Sequence, residues 1–142
     1  MNQPLSIDQI SLGQTYETTV QVDEKRIAAF AQATDDDNPI HFDDEAAAKS
    51  IFGRRVAQGM LTAGFLSGVF GTQFPGSGTI YLSQTVRFLR PVFIGDAITM
   101  RLKVLELWPE KNRIRVETTC LNQDGKEVVT GEAMVMPPPR ES

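Results

Sequence analysis

Residues 57–73, Ala57-Gln58-Gly59-Met60-Leu61-Thr62-Ala63-Gly64-Phe65-Leu66-Ser67-Gly68-Val69-Phe70-Gly71-Thr72-Gln73, run for seventeen positions without a charge. A helix that is apolar all round has to be buried, so the rest of the chain must cover it. The stretch also carries Gly59, Gly64, Gly68 and Gly71. Each glycine costs a helix about 1 kcal/mol relative to alanine. Close approach of another backbone or of a ligand is what rewards such small residues.

The cover lies mainly downstream. From residue 78 the pattern changes to the period of extended chain, and 78–89, 96–107, 113–122 and 126–136 are expected to be strands. Asn122-Gln123-Asp124-Gly125 is a hairpin signal between the last two. Polar and apolar residues alternate through Arg113-Ile114-Arg115-Val116-Glu117-Thr118-Thr119-Cys120-Leu121, so one face of the sheet is wet and the other needs a partner. Upstream, Gly13 precedes a Thr- and Val-rich strand over 14–22. Asp23 can cap a helix over 23–34, whose Ile27, Phe30, Ala31 and Thr34 recur at helical spacing. Asp43 or Asp44 can cap a short helix over 44–50, and Gly53-Arg54-Arg55 reads as an irregular return with solvated arginines.

One buried helix and about five antiparallel strands combine in one way, an α+β domain in which the sheet wraps a long central helix. With 142 residues, 41% of them hydrophobic, the chain supports a single core. The expected domain spans 1–136, and 137–142, Pro-Pro-Pro-Arg-Glu-Ser, is expected to be an unstructured tail.

A net charge of −4 with no basic run longer than Arg54-Arg55 excludes nucleic acid as a partner. Cys120 is the one cysteine and His41 the one histidine, too few for a structural zinc set, so no metal and no cofactor are expected. The first eight residues lack the basic and apolar regions of a secretory leader, and no eighteen consecutive residues are apolar. No membrane association is expected, and the location expected is cytoplasmic.

His41 sits in Thr34-Asp35-Asp36-Asp37-Asn38-Pro39-Ile40-His41-Phe42-Asp43, a cluster of carboxylates. Pro39 fixes its own φ and pushes Asn38 out of the helical region, so the helix must stop and the acidic run must turn. Asn38 and the aspartates can bond to local amides there and stiffen the loop. An imidazole and a carboxylate held in one stiff loop are equipped for proton transfer. The residues alone do not choose among Asp35, Asp36 and Asp37.

Asp36-Asp37-Asn38-Pro39-Ile40-His41-Phe42-Asp43, followed by Val56-Ala57-Gln58-Gly59-Met60 and later by Val86-Arg87-Phe88-Leu89-Arg90-Pro91-Val92-Phe93-Ile94-Gly95-Asp96, resembles the (R)-specific enoyl-CoA hydratases of the MaoC-like group. The resemblance extends over nearly the whole chain and implies a hotdog fold, a homodimer and an acyl-CoA substrate, or an acyl group carried on acyl carrier protein (ACP). It picks Asp36, five residues before the histidine, as the general base that activates water for addition to a trans-2-enoyl thioester. His41 would hold the same water and help to deliver a proton to C2. The Gly59 amide, at the start of the central helix, would stabilise the negative charge on the thioester oxygen. One departure stands out: the group often has His before Gly-Met, where this chain has Gln58.

Asn38, Ser67, Phe70 and Arg90 complete the expected substrate-binding set. Positions 59, 63, 67 and 70 share one helix face, which carries an acyl tail from Gly59 toward Ser67 and Phe70. Phe70 would floor the pocket within a few methylenes, for chains of about four to six carbons. Arg90, in a turn, is better placed for the phosphates of CoA than Arg54, Arg55 or Arg87. A hotdog thioesterase and a non-catalytic acyl-thioester-binding subunit remain open as alternatives.

Overall fold

Alternation in the second half of the chain builds the sheet. Ile98, Met100, Leu102 and Val104 on one strand, and Ile114, Val116, Thr118 and Cys120 on the next, all turn inward and are buried. Their neighbours face water and pair across strands: Arg101 with Glu17, and Arg115 with both Glu106 and Glu132. The computed structural model describes residues 3–140. Its elements are β1 (Thr15–Gln21), α1 (Glu24–Thr34), α2 (Asp44–Ala48), α3 (Gly59–Thr72), β2 (Ile80–Gln84), β3 (Arg87–Phe88), β4 (Ala97–Trp108), β5 (Arg113–Leu121) and β6 (Glu127–Met136). The sheet runs β1-β4-β5-β6-β2, antiparallel throughout, with β3 also on β6.

The expected strand over 78–89 is broken. β2 and β3 both pair with β6, but Thr85 and Val86 lie outside the ladder, where the Thr85 amide donates to Glu132 O at 2.9 Å and the Glu132 amide donates to Thr85 Oγ1 at 2.9 Å. The Thr85 carbonyl passes directly over Gly131, where a Cβ would lie 1.8 Å from the oxygen. The bare backbone of Gly131 is what lets the edge strand cross there.

Helix α3 buries Leu61, Ala63, Leu66, Val69 and Phe70 against the inward face of the sheet. A buried side chain of this kind contributes about 1.5–3 kcal/mol, so α3 and the sheet hold each other. Its cover is one-sided. Gly64, Ser67 and Gly68 are exposed, and a Cβ built on Gly64, Gly68 or Gly71 meets nothing within 4 Å. Among the described residues no helix is long and apolar enough to cross a membrane.

The end of the chain is more ordered than its composition suggests. Pro137 and Pro138 are buried, Asn112 Nδ2 donates to Pro137 O at 2.9 Å, and Arg140 pairs with Asp8. Residues 137–140, in the tail expected to be unstructured, form no helix or strand but keep these contacts; 141 and 142 lie outside the described residues.

Candidate active site

The acidic run is divided among separate tasks. Asp23 opens α1 by accepting from the Arg26 amide at 2.9 Å, and Asp35 closes it in the left-handed region at φ 64°, its amide donating to Ala31 O. Thr34 Oγ1 then accepts from the Asp36 amide at 3.3 Å and fixes the exit. Asn38 Oδ1 accepts from the Ile40 amide at 3.3 Å, which caps the single 3-10 turn Pro39–His41. Asp43 Oδ1 accepts from the amides of Glu45 and Ala46 and starts α2. Asp35, Asp37 and Asn38 stay exposed, while Asp36 is half-buried and His41 is 6% exposed.

These restraints bring Asp36 and His41 together, with His41 Nε2 at 3.9 Å from Asp36 Oδ1. On the other side of the ring, Nδ1 lies 2.7 Å from Val56 O. A carbonyl only accepts, so Nδ1 carries the hydrogen and the neutral ring presents a bare Nε2 toward the carboxylate. Two acceptors 3.9 Å apart leave room for one water about 2.8 Å from each, donating both of its hydrogens.

The pair stands in the wall of a cleft of about 430 Å³ whose other residues are mostly apolar, among them Ile40, Val56, Met60, Val92 and Val129. Gly59 lines it, at the first turn of α3, where amides have no partner within the helix and no side chain caps them. A Cβ on Gly59 would stand 2.9 Å from the Phe88 ring, so any larger residue there would have to push that ring aside. Arg90 lines the cleft as well, with Nη1 donating to Glu127 O at 2.7 Å.

Three of the expected substrate residues lie elsewhere. The Asn38 side chain serves the turn, Ser67 is exposed on α3 beyond the cleft, and Phe70 is 1% exposed with its ring 5.1 Å from that of Tyr81. The inner wall of the cleft is formed instead by Thr62 and Val129.

Arg54 is exposed, as expected of a solvated arginine, but Arg55 is not. Arg54 stacks over Phe93 at 3.7 Å. Arg55, 18% exposed in its side chain, donates through Nε to His41 O at 2.9 Å and pairs through Nη1 with Glu24 at 2.6 Å. Arg55 finds these partners because the return segment folds back over the 39–41 turn, a tertiary contact that leaves no periodic trace. Gln58 is a further residue that local pattern does not reveal. Buried at 1% exposure, it donates from Nε2 to Ile27 O at 3.1 Å and to Asp36 O at 3.5 Å. The one signal for it was the departure from His at that position. Among the described residues no cluster of three or more His, Cys, Asp or Glu side chains could hold a metal ion.

The chain is similar to known proteins along most of its length. Residues 8–127 match the family described as MaoC like domain. The chain is 42% identical over 133 residues to the (R)-specific enoyl-CoA hydratase of Rhodospirillum rubrum, covering 94% of this chain and 92% of that protein. It is 40% identical over 137 residues to the 3-hydroxybutyryl-CoA dehydratase of Methylorubrum extorquens, covering 96% and 87%. Among solved structures, the unliganded R-hydratase PhaJ1 from Pseudomonas aeruginosa superposes with a TM-score of 0.91 at 43% identity, over 96% of this chain and 88% of that one.

Proposed function

The chain belongs to the MaoC-like family, and from that membership we propose that it is an (R)-specific enoyl-CoA hydratase with a hotdog fold, a hydro-lyase that adds water reversibly to trans-2-enoyl-CoA to give (3R)-3-hydroxyacyl-CoA. The observation that carries this reading is the pair of facing acceptors, Asp36 Oδ1 and His41 Nε2, in the wall of an apolar cleft.

A water donating one hydrogen to each has its lone pair turned outward, toward C3 of a thioester lying in the cleft. Asp36 takes a proton from this water as oxygen attacks C3, and His41 Nε2 keeps it in place. Negative charge then gathers on the thioester oxygen, where the Gly59 amide and the positive end of the α3 dipole meet it. The proton that leaves the water returns through the pair to C2, so the carboxylate and the imidazole end as they began. With Nδ1 held by Val56, His41 can deliver that proton only after receiving it at Nε2. Arg90, at the cleft, is placed for a CoA phosphate. ACP-bound acyl chains would enter by the same opening.

The protein acts as a homodimer. The open stripe of Met60, Gly64, Ser67 and Gly68 on α3, with exposed Ile80, Leu82 and Phe88 on the β2–β3 edge, is apolar surface and unpaired strand that a second copy would cover. The reading includes a cytoplasmic location, with which a single buried free cysteine, Cys120, is compatible.

Crotonyl-CoA tests the reading when enoyl absorbance and free thiol are followed together. Loss of absorbance without thiol release is the hydratase result. Thiol release identifies a thioesterase, and no change in either leaves a binding subunit.

A further inference from the structure

His41 is gripped by two consecutive residues. Val56 O accepts the ring Nδ1–H at 2.7 Å, and Arg55 Nε donates to the His41 carbonyl at 2.9 Å. The Val56 amide adds a bond to Ile40 O at 3.3 Å. Arg55 extends further, because its Nη1 lies 2.6 Å from Glu24 Oε1. Glu24 opens α1, the helix whose far end releases Asp36.

One guanidinium thus joins the start of the helix that leads to Asp36 to the backbone that carries His41. Glu24 is 64% exposed in its side chain, and an ion pair with an exposed partner contributes little to stability. What the carboxylate supplies is direction. It sets the plane of the guanidinium so that a different nitrogen, Nε, faces the His41 carbonyl. Arginine suits this because its donors are fixed in one plane, whereas a lysine ammonium is a point charge on a flexible stem and does not hold its donors in one orientation.

The geometry points to Arg55 as a positioning residue that acts through His41: with Glu24 as its anchor, it keeps the imidazole donating to Val56 and its bare Nε2 turned toward Asp36. Its consequence for turnover rests on the hydratase reading; its consequence for the ring does not. Nε and Nη1 of Arg55 are committed to His41 O and Glu24.

His41 is the one histidine in the chain, so 15N labelling of histidine gives ring signals that belong to a single residue. The test compares wild type, Arg55→Gln, Arg55→Lys and Glu24→Gln, with Tm recorded for each. In the wild type at a pH where the ring is neutral, Nδ1 should be protonated and Nε2 bare. In Arg55→Gln the tautomer protonated at Nε2 should appear, and kcat on crotonyl-CoA should fall about tenfold or more with KM within about twofold. Arg55→Lys should recover part of both, and Glu24→Gln should move both the same way by about threefold in kcat.

Wild-type ring signals in Arg55→Gln overturn the proposal, whether kcat falls or not. Should Arg55→Gln fail to fold, Glu24→Gln decides, because its carboxylate is exposed: unchanged ring signals and unchanged kcat in that variant refute the role. If the wild type hydrates no enoyl-CoA, the hydratase reading fails by itself, and the tautomer shift still decides whether Arg55 positions the ring.

Discussion

Asp36 Oδ1 and His41 Nε2 face each other at 3.9 Å as two acceptors, because His41 directs its one ring hydrogen at Val56 O. Both acceptors are needed to orient one water, so removing either should damage the chemical step more than binding. Asp36→Asn and His41→Ala should each lower kcat by about two orders of magnitude or more. Asp35→Asn and Asp37→Asn, whose side chains are exposed, should do far less. Steady-state rates on crotonyl-CoA for the four variants check this, and a near-wild-type Asp36→Asn enzyme refutes it.

The open face of α3 makes a prediction about assembly. Sedimentation equilibrium of the wild type should give twice the 15.7 kDa chain mass at micromolar concentration. A Cβ on Gly68 points into open space, so Gly68→Arg should leave the protomer folded while blocking a partner from the stripe. That variant should sediment as 15.7 kDa with its circular dichroism unchanged. A wild type that stays monomeric across this range rules out the homodimer.

Phe70 is buried against Tyr81 and does not line the cleft. Phe70→Ala should cost about 3–5 kcal/mol of stability through the space it empties. If an acyl tail runs along α3 from Gly59 as far as Phe70, the same space should admit longer chains, at about 0.8 kcal/mol per added buried methylene. Comparing kcat/KM on crotonyl-, hexenoyl- and octenoyl-CoA separates the two effects. Lost stability with unchanged chain preference would leave Phe70 as packing alone.

Burial pushes the Cys120 thiol up to about 12 from 9.0. Burial and then the neighbouring Cys120 push the Tyr81 hydroxyl up to about 12 from 10.0. Both shifts disfavour the ionised form in the folded protein. The unfolded chain therefore releases these protons first, and the stability present below about pH 9 is lost as pH rises toward 12. Urea midpoints should drop between about pH 8 and pH 10.5, and Cys120→Ala should show a shallower fall. At pH 8 the native thiol should resist a disulfide reagent and react once per chain on unfolding.

The elements that follow from local rules were legible in the chain itself. Asp23 and Asp43 are caps, the 113–121 alternation is a half-buried strand, and the uncharged 57–73 stretch contains α3 within two residues of each end. What escaped depends on distant partners. Arg55 reads as a solvent-facing charge until the chain folds back over His41, and Gln58 as an ordinary polar residue until Ile27 and Asp36 present carbonyls to it. The break at Thr85 escaped because its cause is a glycine 46 positions later on another strand. Within the site, family resemblance chose Asp36, and only the fold showed that Asp35 and Asp37 face away. The Nδ1 donor of His41 could not be read at all, since it depends on where Val56 O comes to rest.

The crossing of Thr85 over Gly131 makes that glycine the least replaceable spot on an otherwise forgiving surface. Position 131 is only half-buried and holds no charge or side chain, so a survey of burial or chemistry would rate it tolerant. Yet any added carbon meets a carbonyl oxygen at 1.8 Å, and the neighbour that must yield is main chain, not a rotamer that can turn aside. The edge would have to peel away from β6, carrying Phe88 and its contact over Gly59 with it. A substitution at residue 131, which does not itself line the cleft, would thereby disturb Phe88 and Gly59, which do, so an unbiased mutational scan for lost turnover should flag residue 131.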